Sequence, residues 1–152
     1  MRLITLFFLR MCAPGTGVDD TADTAEADDI DGAYTGEALL EVPFWSWETC
    51  TGPLTLVVDT EGYVEGDSTC VNADSGTAFP LSFAGEVDAE GRISGEVLLA
   101  YTYVDGSYGE YTDPLEGDLT GDALSLVWQT HVTDDPEKSG IVLDGYGDAV
   151  RE

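Results

Sequence analysis

Six aromatic residues in two short stretches are the side chains of this sequence best suited to binding chemistry. Trp45 and Trp47 lie in the run FWSW, Phe44 to Trp47, and Tyr101, Tyr103, Tyr108 and Tyr111 follow one another farther along. Rings of this kind stack on apolar or sugar ligands, with Glu48, Asp105 and Glu110 beside them as polar contacts. The same rings would also serve as core aromatics that plug one end of a β-domain, which is the simpler use.

Other constellations carry less. His131 is the only histidine and is followed by Asp134 and Asp135, but no GxSxG-type turn exposes a serine for a Ser/His/Asp site. Carboxylate pairs for glycoside hydrolysis can be drawn almost anywhere in so acidic a chain, so no pair is singled out. The run NADSG, Asn72 to Gly76, could offer oxygen ligands to Ca²⁺, although an Asx/Gly turn explains it more simply. In DDIDG, placing Gly32 at the sixth position of a Ca²⁺ loop puts Ala27 and Ala38 at the first and twelfth, where carboxylates are needed. Two cysteines and one histidine do not supply a zinc site. No glycine-rich phosphate loop precedes a helix, and no metal or cofactor is expected.

The aromatics must be held by β-structure, because the chain repeats one hairpin. In Ser82 to Tyr103, Phe83, Val87, Ile93, Val97 and Leu99 alternate with Glu86, Asp88, Ser94 and Glu96 around a Glu90-Gly91 turn. VDTEGYVEG at Val58 to Gly66 matches VDAEGRISG at Val87 to Gly95, and DGAYTGEALL at Asp31 to Leu40 matches EGRISGEVLL at Glu90 to Leu99. A looser copy is LEGDLTGDALSL, Leu115 to Leu126. Eight strands follow, near 34–47, 53–59, 63–71, 78–88, 92–104, 110–119, 123–132 and 140–149. Short links predict an all-β antiparallel meander. Pro43 within the first strand predicts a bulge that turns Trp45 and Trp47 inward.

Glycines argue for closure. Gly36, Gly66, Gly85, Gly95 and Gly117 all fall on the apolar face, where glycine weakens a flat strand but lets a strongly coiled one bend. The expected fold is therefore a small closed β-barrel, lipocalin-like in general shape, with a β-sandwich as the alternative. Polar outward positions exclude a lipid-facing transmembrane barrel.

The chain carries 31 acidic and five basic residues, a formal charge of −26. Such a surface repels phosphate backbones and anionic lipid, which excludes nucleic acid and anionic membranes as direct partners of the domain. Residues 13–33 hold seven acidic residues and no basic one, the composition of a disordered, extended tether.

Residues 1–12, MRLITLFFLRMC, combine a basic start, an apolar run from Leu3 to Leu9 and Cys12. The run is too short to span a bilayer. With Leu9 three places before Cys12, the segment resembles a bacterial lipoprotein signal, although Arg10 and Met11 stand where that pattern places small residues. The resemblance covers these twelve residues alone and implies lipidation of Cys12. Lipidation leaves Cys50 and Cys70 as a pair, and a turn near Thr60 to Gly62 brings Cys70 opposite residues 51–53, within reach of Cys50. The expected organisation is a signal segment at 1–12, a tether at 13–33 and a monomeric barrel at 34–152. Such a chain is read as a non-catalytic envelope lipoprotein, structural or small-ligand-binding, anchored at the outer membrane or cell surface. The alternative is a secreted hydrolase using carboxylates at the barrel mouth.

Overall fold

A computed structural model describes residues 30–42, 48–102, 106–132 and 141–152. Eight strands run in chain order: β1 (Gly32–Val42), β2 (Glu48–Val58), β3 (Tyr63–Asn72), β4 (Ala78–Val87), β5 (Arg92–Thr102), β6 (Tyr108–Thr120), β7 (Ala123–Val132) and β8 (Ile141–Arg151). Each pairs antiparallel with the next, and β8 pairs with β1, so the expected meander closes into a barrel.

Three links at one end, the lower, set the register. Asp59 and Asp88 each open a four-residue turn: Gly62 and Gly91 donate their N–H to the carbonyls of Asp59 and Asp88, and both glycines sit at positive φ. The carboxylate of Asp88 also accepts the N–H groups of Glu90 and Arg92 and the guanidinium of Arg92. These bonds, the Arg92 N–H foremost, hold the Asp88 carboxyl below the usual carboxylate range. Each turn is then sewn to a later strand. Val87 N–H donates to Gly62 O at 2.8 Å, Leu119 N–H to Gly91 O at 2.7 Å and Arg151 N–H to Asp122 O at 2.9 Å. Glu152 N–H to Ala33 O, at 3.0 Å, joins the two ends of the domain in the same way. The Arg151 guanidinium lies 5.7 Å over the buried Tyr34 ring and covers this end.

Inward positions from all eight strands form one buried cluster. Phe83 and Trp128 meet edge to face across it, with ring centroids 5.2 Å apart. The apolar side of the Ser82 to Tyr103 hairpin faces inward as its alternation requires: Phe83, Ile93, Val97 and Leu99 are buried and Val87 is partly so.

Boundaries differ from expectation in two places. Ile30 packs against the core and its carbonyl accepts the Tyr34 hydroxyl at 2.7 Å, so ordered structure begins before residue 34. β1 ends at Val42 and β2 begins at Glu48, where the sequence suggested one strand through 47 and a new one at 53. The expected second strand started only at residue 53. Instead β2 runs through Pro53, and its ladder with β3 is interrupted at residues 52 and 53. Pro80 and Pro114 behave alike: β4–β5 pairing starts only at Leu81/Leu99 and β6–β7 pairing only at Leu115/Trp128. Each proline keeps its partner on one side and loses it on the other. The expected bulge at Pro43 lies outside the described residues.

The β8–β1 seam that closes the barrel carries outward carboxylates directly opposite one another, Glu37 facing Asp148 and Glu41 facing Asp144. Like charges in facing positions destabilise a strand pair. Glu37→Gln should therefore raise thermal stability at low ionic strength by about 0.5 kcal/mol. Thermal melts should show that gain shrinking towards zero near about 1 M salt, where screening already removes the repulsion. A gain that is the same at both salt concentrations would argue against repulsion as its cause.

Candidate functional site

Of the candidate aromatics, the described ones, Tyr101, Tyr108 and Tyr111, belong to the upper end of the barrel, opposite the Glu-Gly turns. Here each of the three seams has lost ladder pairing beside a proline, and a different contact spans each one.

In the β2–β3 seam the contact is covalent. Cys50 and Cys70 form the expected disulfide, diagonal to the ladder, with Cα atoms 5.3 Å apart and both residues fully buried. Above it Asn72 Oδ1 accepts the N–H groups of Asp74 and Ser75, at 3.0 and 2.7 Å, and the Ser75 hydroxyl at 2.9 Å. NADSG is thus an Asx turn whose side-chain oxygen is already engaged.

In the β4–β5 seam the contact is aromatic. Phe79 and Tyr101, which would face each other if the ladder continued past Pro80, stack with centroids 5.2 Å apart and planes 7° from parallel. Tyr111 is buried on the neighbouring strand. Tyr101 and Tyr111 therefore come together on the inner side of the upper end. Tyr108 does not join them, because it stands on the outer face and is 60% exposed. Its hydroxyl donates to Glu110 Oε1 at 2.8 Å, and that bond raises the phenol above its ordinary pKa. Trp45, Trp47, Tyr103, Asp105 and Cys12 lie outside the described residues, as does the side chain of Glu48.

In the β6–β7 seam the contact is polar, and sequence reasoning missed it. The partner of His131 is Asp113, whereas Asp134 and Asp135 lie outside the described residues. Asp113 Oδ2 accepts the His131 backbone N–H at 3.1 Å, and Oδ1 lies 2.9 Å from His131 Nδ1. The carboxylate thus substitutes for the ladder acceptor lost above Pro114. A signal was present: Asp113 occupies an inward position between Tyr111 and Leu115, where a carboxylate is out of place unless bonded. The carboxylate thereby fixes the orientation of the imidazole ring. Among the described residues no hydroxyl is hydrogen-bonded to His131, so the pair acts as a clasp between strands.

No family model, no curated protein and no solved structure matches this chain.

Among the described residues, open clefts lie on the outer wall. One, of about 410 Å³, is bounded by Pro114, Glu116, Val127, Trp128, His131 and Tyr146 and their neighbours on β6 to β8. Gln129 Nε2 donates to Asp144 Oδ1 at 2.8 Å on its rim. Another, of about 350 Å³, lies lower on the wall between Thr35, Asp118, Ser125 and Asp148. Among the described residues no group of His, Cys, Asp or Glu has the arrangement of a metal site.

Proposed function

We propose that this chain is a non-catalytic, exported lipoprotein of the cell envelope. Cys12 carries the lipid at the outer membrane or cell surface, the acidic segment that follows is the tether, and the barrel is a structural unit. The observation that carries the structural role is the interior: side chains from all eight strands bury one another in a single cluster, with Phe83 against Trp128 across the middle. A barrel packed with its own side chains is rigid and self-contained. Export is supported by the buried Cys50–Cys70 bridge, since such bonds persist in oxidising compartments.

A second reading keeps a small apolar or sugar ligand at the upper end. It is favoured by Tyr101, which stacks on Phe79 there and remains only partly buried.

The test is metabolic labelling with palmitate in the presence and absence of globomycin. Labelling should be globomycin-sensitive, and Cys12→Ser should abolish it and release the protein from the membrane fraction. A Cys12→Ser protein that stays membrane-bound to the same extent would sink the anchor.

A further inference from the structure

On the outer wall, Val127 of β7 pairs with Tyr146 of β8, and Tyr146 pairs in turn with Leu39 of β1. These three outward side chains form an apolar row across the strands, with Val127 47% and Tyr146 42% exposed. Two residues farther along each strand, about 7 Å away, the outward positions change character on both sides of the row. On β8 and β1 the upper side carries Asp144 and Glu41 and the lower side Asp148 and Glu37, while on β7 the flanking positions are the neutral Gln129 and Ser125. The row runs into the 410 Å³ cleft, where Tyr146 and Val127 meet Pro114 and Glu116.

We infer that this row is a docking surface for a basic amphipathic helix of a partner protein, lying across β7, β8 and β1. A narrow apolar stripe with Lys or Arg on both flanks is the complement of an apolar row with carboxylates on both flanks. The facing pairs Glu37/Asp148 and Glu41/Asp144 repel within the free barrel, so cations placed beside them relieve that repulsion on binding. The cleft accommodates one apolar or basic anchor side chain against the Tyr146 ring. A second copy of this chain is a poor occupant, because it would set these four carboxylates against a surface of the same −26 charge.

The probe is a synthetic peptide of about 15 residues with leucines on one helical face and lysines on both flanks, compared with a scrambled peptide of the same composition. Binding to the full chain is read by fluorescence anisotropy. The ordered peptide should bind at least about tenfold tighter than the scrambled one, and Tyr146→Ser and Val127→Thr should each remove most of that difference. Both positions are exposed, and circular dichroism checks that the variants remain folded. Asp144→Asn should flatten the salt dependence of binding, while the equally charged change Asp67→Asn, on β3, should flatten it less. Equal binding of the two peptides, or indifference to Tyr146→Ser, would show attraction to net charge alone and overturn the inference. So would self-association of the unliganded protein that Tyr146→Ser abolishes.

Discussion

Gly36→Ala is expected to cost about 3 kcal/mol or more, although it adds a single methyl group to a surface strand. Gly36 lies on β1 opposite Ala149 of β8, in the seam that closes the barrel. A Cβ there would be driven into the carbonyl oxygen of Asp148, with the Ala149 Cα 2.7 Å away. Those are backbone atoms, so no rotamer change makes room, and β8 must move off β1. An opened seam also exposes two strand edges, which invites association between chains. Urea unfolding should therefore show a lowered midpoint for Gly36→Ala, accompanied by concentration-dependent oligomers. Gly147→Ala is the control: its nearest neighbours are side-chain carbons of Leu54 and Leu126, from 3.0 Å outward, which can shift. If the two variants unfold at the same midpoint, close backbone approach is not what makes Gly36 necessary.

Removing the Cys50–Cys70 bridge should cost about 3 kcal/mol in the chain-entropy account, given a sequence separation of 20. For a domain of this size that corresponds to a fall in Tm on the order of 10 °C. The bridge spans the seam whose ladder is broken at Gly52 and Pro53, so it replaces connectivity that backbone hydrogen bonds do not supply there. The double variant Cys50→Ala/Cys70→Ala also removes buried sulfur, so wild-type protein unfolded with and without reductant is the cleaner comparison. A midpoint unmoved by reductant would mean that the two buried thiols pack as well as they bridge. A loss well beyond this figure would indicate that the seam itself comes apart.

Much of the fold was legible because its rules are local. Period-two alternation placed Phe83, Ile93, Val97 and Leu99 inside, and the Asp-x-Glu-Gly turns fixed the register of their hairpins. Inward glycines announced coiling, and Gly36 and Gly95 show why: a Cβ at either would strike the backbone of the adjoining strand. The Cys50–Cys70 pair was expected once the resemblance set Cys12 aside, and one hairpin's register agreed with it. Parity also separates Tyr108 from Tyr111, which are an odd number of residues apart, so counting both among the ligand-binding rings overlooked what alternation already says.

The site was less legible, for a physical reason. Asp113 clasps His131, eighteen residues away, only because Pro114 ends a ladder that sequence alone would have continued. The apolar row of Val127, Tyr146 and Leu39 crosses the β8–β1 seam, which joins the two ends of the chain. Alternation and turn chemistry act between neighbours, so the sequence by itself determined which faces are apolar and which strands form hairpins. Which residues face one another across the closing seam depends on the accumulated register of all eight strands, and that only the tertiary structure decided.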